Sequence, residues 1–325
     1  MKKEKIGIFS YDSYQFMGGQ GRNIFQIYNE IKDKNEVITF SPFESKIKDS
    51  VRINDYNVKF GRNIFFSLIV NLKIRKLISK YNLDKVIFQG GPGGILFIKK
   101  LPIEQEYIAN HTYYQQTKYI KSQFWKKIFI PFERIGYKNS DKIMSISEST
   151  RDVLINNYGI SKDKIYLRHP KTDKIFKKIK DIKKISDSIL YVGRLDKRKG
   201  IDFLVKTMPL IIKENNKIKL FVIGKGKSRY KLEKFVKDNN IKNNVEFLGF
   251  VSDKKLLEWY NKCQLTVIPS IFEGFGITAI ESLACGTSVI ATNSDGLKDI
   301  VKDKEMLVEF GNKEDLKDKI VRYFK

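Results

Sequence analysis

Two carboxylates, Glu273 and Glu281, flank a turn that contains Gly274 and Gly276. The turn follows an apolar run that ends at Pro269, so both carboxylates belong to one strand-to-helix connection. A carboxylate only accepts hydrogen bonds, which suits the hydroxyl groups of a sugar or another polyol. The glycines between them would let backbone N–H groups approach such a ligand. The alternatives are a surface position on the helix for Glu281 and a loop charge near a helix dipole for Glu273.

A pair of cations has the chemistry to hold a phosphate group. Arg194 and Lys199 lie in the sequence VGRLDKRKG, just past a predicted strand. Cationic side chains on a strand-end loop can hold phosphate without a metal ion. The alternative is a solvated run of charge, because the chain has 62 Lys and Arg residues in total.

A glycine-rich loop near the N-terminus is the second candidate for phosphate binding. Gly18, Gly19 and Gly21 precede a predicted helix at 23–34, whose N-terminus offers free N–H groups and a partial positive charge. The alternative is a flexible loop between a strand and a helix. The loop is neither a P-loop nor the G-x-G-x-x-G dinucleotide motif, since no Gly-Lys-Ser/Thr follows and the third glycine is absent.

These residues must be positioned by a series of short apolar strands that alternate with amphipathic helical stretches. Several strands are almost continuously apolar, which is typical of parallel sheets buried on both faces. The pattern predicts an α/β protein with two doubly wound, Rossmann-like parallel-sheet domains facing a central cleft, where ligands bind at the carboxyl ends of the strands. The predicted strands are 5–11, 36–41, 85–89, 106–111, 142–147 and 165–169, then 189–195, 219–223, 245–250, 264–269, 287–292 and 306–310.

The length of 325 residues also favours two domains. The charged segment KTDKIFKKIKDIKKISDS separates the two strand series. We therefore predict an N-terminal domain over 1–172, a linker over 173–187 and a C-terminal domain over 188–325.

Composition excludes several classes of protein. Two cysteines and two histidines are too few for a disulfide framework or a His-rich metal centre. No apolar run is long enough for a membrane-spanning helix, and we expect a cytoplasmic location. The net charge of +25 would suit nucleic acid, an anionic membrane or a phosphorylated substrate. Only 11 of the 62 cationic residues are arginines, which disfavours base readout, so no nucleic-acid partner is expected.

The motifs together resemble the retaining glycosyltransferases of family 4, which have the GT-B fold. The segment EGFGITAIE carries their E-x7-E motif, follows a strand ending in PS and precedes LACGTSVIAT. VGRLDKRKG, GGQGRN and VEFLGFVSDKKLLEWYNKC match further family segments, so the resemblance covers most of the chain. One departure is the pair Asp295 and Gly296, where the family commonly has two glycines.

The resemblance implies a role for each matching residue. Arg194 and Lys199 would hold the donor diphosphate, and Glu281 would accept hydrogen bonds from the ribose. His111 would lie near the donor sugar, although a satisfied residue at a strand end is the alternative. Glu273 would contact the donor sugar with the N–H groups around Gly274, Phe275 and Gly276, and Gly19 would present its N–H to the phosphates from the opposite domain.

The implied activity is metal-independent transfer of a hexose, with retention, from a nucleotide-diphosphate sugar to a hydroxyl acceptor. The acceptor would be a glycan, a polymer or a lipid-linked intermediate of cell-surface polysaccharide synthesis. No cofactor is implied beyond this co-substrate, and we expect a UDP-sugar rather than a GDP-sugar. A same-fold nucleotide-sugar epimerase or phosphorylase, and a non-catalytic binder of anionic polymer or nucleic acid, are the alternatives.

The segment 118–138 interleaves six basic residues with aromatic ones. Such a stretch can dock on an anionic membrane surface, which would bring the protein to a lipid-linked acceptor at the inner face of the membrane. The alternative is an ordinary helical region with an aromatic core face and lysines on the water side. Pro131 predicts two short helices rather than one.

Overall fold

The chain folds into two compact units in a computed structural model that describes residues 3–12, 19–43, 45, 47–53 and 62–325. The first unit is Met1–Pro170 and the second is Lys171–Lys325. The segment 173–187, which we predicted as a linker, falls within the second unit and has no helix or strand. Its Phe176 ring is buried 5.8 Å from the ring of Tyr260, so the segment packs onto this unit.

The first unit is a seven-stranded sheet in which every pair of neighbouring strands is parallel. Its elements are β1 Lys5–Phe9, α1 Gly19–Ile31, β2 Glu36–Ser41, β3 Ser50–Arg52, α2 Arg62–Tyr81, β4 Lys85–Gly90, β5 Glu104–Ala109, α3 Tyr113–Tyr119, a 3₁₀ helix Lys121–Phe129, α4 Ile130–Asn139, β6 Lys142–Ser145, α5 Glu148–Asn156, a 3₁₀ turn Lys162–Lys164 and β7 Ile165–Leu167. The strand order is β3-β2-β1-β4-β5-β6-β7. Buried aromatic rings fill the core, with Phe9 stacked on Phe40 and Phe88 stacked on Phe97.

The second unit is a six-stranded parallel sheet with the order β10-β9-β8-β11-β12-β13. Its elements are β8 Ser188–Val192, a 3₁₀ turn Lys197–Lys199, α6 Ile201–Glu214, β9 Lys219–Ile223, α7 Arg229–Asp238, β10 Val245–Gly249, α8 Asp253–Lys262, β11 Leu265–Ile268, α9 Ile277–Ala284, β12 Ser288–Thr292, α10 Leu297–Ile300, a 3₁₀ turn Lys304–Met306, β13 Leu307–Val308 and α11 Lys313–Tyr323. The predicted class, two doubly wound parallel sheets, is confirmed.

Each sheet changes its winding direction next to its first strand. In the first unit the change falls between β1 and β4, and in the second it falls between β8 and β11. The connections that leave two such strands diverge to opposite faces and open a crevice at their carboxyl ends. In the second unit these are the loops at 193–200 and 269–276, which carry Arg194, Lys199 and Glu273.

Candidate active site

The loop after β8 is shaped by two local features. The Asp196 side chain accepts a hydrogen bond from the Lys199 amide at 3.0 Å and caps the short 3₁₀ turn. Gly200 then adopts a left-handed conformation (φ 66°), and a Cβ there would lie only 1.7 Å from the Pro269 carbonyl oxygen. Glycine is therefore required for this loop to approach the end of β11. The Ile271 amide donates to the Arg198 carbonyl at 2.9 Å, so the two loops are joined by their backbones.

Glu273 is the buried centre of a charged cluster whose two cations are partly exposed. Its Oε1 accepts hydrogen bonds from Lys199 Nζ at 2.5 Å and from Ser270 Oγ at 2.7 Å. Its Oε2 lies 3.7 Å from Arg198 Nη1, which also donates to the Phe272 carbonyl at 3.1 Å. The carboxylate thus has two cations and a hydroxyl group around it, and it is not a solvated loop charge.

The electrostatics of this cluster favour an ionised carboxylate. Burial alone would raise the pKa of Glu273, but Lys199 and Arg198 lower it to about 2, with help from the hydrogen bonds of Lys199 and Ser270. Burial lowers the pKa of Lys199, and Arg198 lowers it further, while Glu273 opposes both. The carboxylate of Glu273 is therefore ionised at neutral pH.

The glycine turn that follows Glu273 is held from a neighbouring loop. Gly276 precedes the first residue of α9 with a φ of 111°, in the left-handed region. A Cβ on Gly296, in the loop after β12, would lie 2.7 Å from the Glu273 carbonyl oxygen and 2.6 Å from the Gly274 carbonyl carbon. Gly296 therefore lets that loop pack directly on the backbone of the candidate site. Phe275, within the turn, is buried.

Glu281 lies on the inner side of α9 rather than on its surface. Only 4% of the residue is exposed, so the alternative of a surface helix position is wrong. Its Oε2 accepts a hydrogen bond from the hydroxyl group of the fully buried Tyr260 at 3.0 Å. The carboxylate is thereby held in one orientation by a neutral donor from α8.

Arg194 differs from the other cations of its loop because its side chain is largely exposed. Its Nε lies 3.4 Å from Asp196 Oδ2, and its carbonyl accepts a hydrogen bond from the Tyr191 hydroxyl at 2.9 Å. The loop backbone at Arg194 is thus anchored while its guanidinium group faces solvent. Lys199 and Glu273 are brought together directly, and Arg194 joins them only through Asp196 and the loop.

The candidate residues of the first unit lie at the carboxyl edge of its sheet. Gly19 is the exposed first residue of α1, and Gly18 lies outside the described residues. The next residue, Gln20, donates to the Pro92 carbonyl at 3.3 Å, which ties α1 to the loop after β4. A Cβ on Gly91 would lie 2.3 Å from the His111 carbonyl oxygen, so this loop also packs against the end of β5.

A buried carboxylate that the sequence did not indicate supports the turn after His111. Glu133 Oε2 accepts a hydrogen bond from the Tyr113 amide at 2.9 Å and another from the Tyr158 hydroxyl. Tyr137 donates to Oε1 at 3.3 Å. Burial raises the pKa of Glu133 to about 8, and these three hydrogen bonds only partly oppose the effect. The start of α3 is therefore fixed to α4 through this side chain.

Sequence reasoning gave no role in the site of the second unit to Arg198, Ser270, Tyr260 or Gly296, although Gly296 was noted beside Asp295 as a departure from the family pattern. Arg198 stands between two other cations, and nothing in its spacing distinguished it. The one signal in the sequence is Asp196. Aspartate often caps the start of a helical turn, and the cap sets the conformation of the three residues that follow, Lys197–Lys199. Ser270 lies three residues before its partner Glu273, but no local pattern marked it as a hydrogen-bond donor to that carboxylate. Tyr260 acts on Glu281, which is 21 positions away and is brought near only by the fold.

Two features that would change the chemistry are absent from the described residues. No group of three or more His, Cys, Asp or Glu side chains there has the arrangement of a metal site. Among the same residues, no helix combines the length and the apolar character needed to cross a membrane.

Comparison with known proteins identifies the family. The model "Glycosyltransferase Family 4" matches residues 17–173, and the model "Glycosyl transferases group 1" matches residues 172–325. An uncharacterized glycosyltransferase of Methanocaldococcus jannaschii is 29% identical over 317 residues, which is 95% of this chain and 85% of that protein.

A second relative has a specific name. The N-acetylgalactosamine-N,N'-diacetylbacillosaminyl-diphospho-undecaprenol 4-alpha-N-acetylgalactosaminyltransferase of Campylobacter jejuni is 28% identical over 249 residues, covering 74% of this chain and 67% of that protein. The solved sucrose-phosphate synthase of Thermosynechococcus elongatus matches with a TM-score of 0.84 and 19% identity, over 98% of this chain and 89% of its own. The chain belongs to the family 4 glycosyltransferases and has their GT-B fold.

Proposed function

We propose that this glycosyltransferase moves a hexose, with retention and without a metal ion, from a nucleoside-diphosphate sugar to a hydroxyl acceptor. The observation that carries the proposal is the cluster in which Lys199 and Arg198 surround the buried, ionised Glu273. Such a group of fixed charges at the carboxyl end of two diverging strands suits a ligand that combines hydroxyl groups with a diphosphate.

Lys199 and Arg198 supply positive charge to the leaving diphosphate. When the bond between sugar and phosphate breaks, the diphosphate gains negative charge and the sugar becomes cation-like. The Lys199 ammonium group has three N–H bonds, and the hydrogen bond to Glu273 uses one of them. The other two remain for phosphate oxygens. One fixed donor aimed at developing charge is worth about 3 kcal/mol of barrier. Arg194, at the exposed edge of the loop, adds a further cation.

Glu273 and Glu281 act as acceptors for hydroxyl groups. Glu273 binds the donor sugar, together with the backbone N–H groups around Gly274, Phe275 and Gly276. Glu281, oriented by Tyr260, binds the ribose hydroxyls. These are binding roles, so neither carboxylate is required to form a bond with the sugar.

Retention follows from attack on the face that the leaving group vacates. The acceptor oxygen bonds to the anomeric carbon while the phosphate oxygen departs from the same side, and the acceptor proton passes to that phosphate oxygen. The anomeric configuration of the product, read by NMR coupling constants, checks this step with an α-configured donor. An α product is expected, and a β product contradicts retention. Undiminished turnover in EDTA is expected for a metal-independent reaction.

The acceptor is a glycan, a polymer or a lipid-linked intermediate of polysaccharide synthesis. The relative from Campylobacter jejuni, whose name includes a diphospho-undecaprenol-linked saccharide and an alpha linkage, supports the lipid-linked class. The proposed location is the cytoplasm, with the inner face of the membrane as the place where such an acceptor is met. UDP is the expected nucleotide, in preference to GDP.

The proposal is tested by replacing Lys199 with alanine and comparing the exposed Lys197→Ala as a matched control from the same turn. Binding of UDP and GDP is measured by titration calorimetry, and transfer is measured by release of nucleotide from a panel of nucleotide sugars. We expect stoichiometric binding of UDP to the wild type, weak binding of GDP, and a loss of transfer of about 100-fold or more in Lys199→Ala. The Lys197→Ala control is expected to match the wild type.

Two results would contradict the proposal. One is transfer at the wild-type rate by a folded Lys199→Ala protein. The other is the absence of nucleotide binding combined with salt-sensitive binding of DNA, which would favour a binder of anionic polymers.

A further inference from the structure

The 3₁₀ helix Lys121–Phe129 and α4 expose an unusual concentration of large apolar side chains. Fourteen such side chains are exposed among the described residues, and five of them fall within the twelve positions from Phe124 to Ile135. Their exposed fractions run from 44% for Ile135 to 62% for Ile128. The alternative in which these aromatic residues form a core face is therefore wrong. We call the exposed side chains Phe124, Trp125, Ile128, Phe132 and Ile135, with the cations between them, the basic–apolar surface.

The exposed rings are attached to the fold through one partly buried neighbour. Phe129 packs on the buried ring of Tyr113, with 5.3 Å between the ring centroids, and Trp125 meets Phe129 edge-on at 5.9 Å. Lys127 Nζ lies 4.1 Å from the centre of the Phe124 ring. The apolar side chains are thus held in place at the surface and are interleaved with ammonium groups.

The charge on this surface has one sign. Residues 118–138 contain six Lys and Arg residues, and five of them are exposed: Lys118, Lys121, Lys127, Arg134 and Lys138. The one acidic residue of the segment, Glu133, is fully buried and turned toward the tyrosines of the core. Every exposed charge on this segment is therefore positive.

We infer that the basic–apolar surface docks on an anionic lipid bilayer. Aromatic and aliphatic side chains that lie among lysines can enter the boundary between headgroups and acyl chains, while the ammonium groups contact lipid phosphates. A protein partner fits less well, because the cores of protein interfaces are depleted in lysine. The inference rests on the proposed function only in that a lipid-linked acceptor would be met at such a surface.

The test is sedimentation of the full chain with phosphatidylcholine vesicles that either contain or lack phosphatidylglycerol. The apolar variant is Phe124→Ser/Trp125→Ser, and the charge variant is Lys121→Gln/Lys127→Gln. The control is Leu68→Ser/Leu72→Ser, which removes two exposed leucines from α2 of the same unit. Transfer to a water-soluble acceptor is measured in parallel, so that loss of docking and loss of catalysis are told apart.

We expect the wild type and the control to sediment with vesicles that contain phosphatidylglycerol and to remain in solution with phosphatidylcholine alone. Each of the other two variants should bind about tenfold more weakly. Transfer to the soluble acceptor should be unchanged in all of them.

Three outcomes would overturn the inference. They are equal sedimentation of the wild type and the apolar variant, binding that does not depend on phosphatidylglycerol, and failure of the wild type to bind either vesicle. Light scattering adds a fourth: a wild-type dimer that the apolar variant converts to a monomer would assign the surface to a second copy of the chain.

Discussion

Two buried glutamates, one in each unit, have opposite acid–base behaviour. Glu273 is held between Lys199 and Arg198, and its pKa falls to about 2. The hydrogen-bond donors described around Glu133 are the Tyr113 amide and two tyrosine hydroxyls, all uncharged, and its pKa rises to about 8. Both side chains are withdrawn from water, so burial does not distinguish them. Neighbouring cations therefore decide whether a buried carboxylate carries its charge at neutral pH.

The largest effect is expected when the charge at Glu273 is removed. Glu273→Gln leaves Lys199 and Arg198 next to an uncharged amide, and we expect the free energy of unfolding to fall by about 3 kcal/mol. Transfer should fall by about 100-fold or more, because the cations lose their fixed positions. Urea denaturation and nucleotide release measure the two losses. The double variant Glu273→Gln/Lys199→Met should recover stability but not transfer, and recovery of transfer would break the assignment.

The second effect is a dependence of the free energy of unfolding on pH, which comes from Glu133. Because its folded pKa is about 8 and the ordinary value is 4.5, the folded state binds more protons than the unfolded state between these values. The stability from protonated Glu133 is therefore complete below about pH 4.5 and is lost as the pH rises through 8. Between pH 4.5 and 8, the free energy of unfolding of the wild type should fall by about 1 kcal/mol per pH unit relative to that of Glu133→Gln.

The Glu133 experiment needs denaturation curves of both proteins at several pH values. A constant difference between them would mean that Glu133 does not titrate in this range. The pH dependence that comes from Glu273 has the opposite sign. Because its pKa is lowered, its contribution to stability is present above pH 4.5 and is lost as the pH falls toward 2.

The smallest effect concerns a third buried carboxylate, Glu281, which has a neutral donor in Tyr260. Tyr260→Phe removes one hydrogen bond, worth about 1 kcal/mol. We expect a donor KM about fivefold higher with little change in kcat, because the hydroxyl group orients a binding residue and does not touch the reacting atoms. Tyr230→Phe, at an exposed site, is the control. An equal fall in kcat with unchanged KM would assign Tyr260 to the chemical step instead.

The sheets could be predicted well from the sequence, because parallel strands that are buried on both faces consist of nearly continuous apolar residues. Each of the twelve predicted strands overlaps an observed one, and 36–41 and 219–223 match their bounds. β3, only Ser50–Arg52, was missed because two half-buried residues and one exposed residue carry no apolar run. The strand predicted at 189–195 ends at Val192, although the Leu195 amide still donates to the Lys225 carbonyl in the loop after β9.

The candidate site was only partly predictable. The spacing of Glu273, Glu281 and the glycines indicated a strand-to-helix turn, which the structure has at that place. No local pattern could indicate that Arg198 rather than Arg194 lies beside Glu273, since Arg198 and Glu273 are 75 positions apart in sequence. Nor could it indicate which side of the segment 118–138 faces water, because its first half is a 3₁₀ helix with a different repeat from an α-helix.

The contact of Gly200 with the Pro269 carbonyl has a mechanical consequence. Since the Ile271 amide also donates to the Arg198 carbonyl, the turn with the cations is joined directly to the turn with Glu273. We therefore expect the spacing between the cations and Glu273 to stay the same when a ligand binds. Substitutions meant to change the preference for the proposed donor sugar should therefore begin outside these two turns.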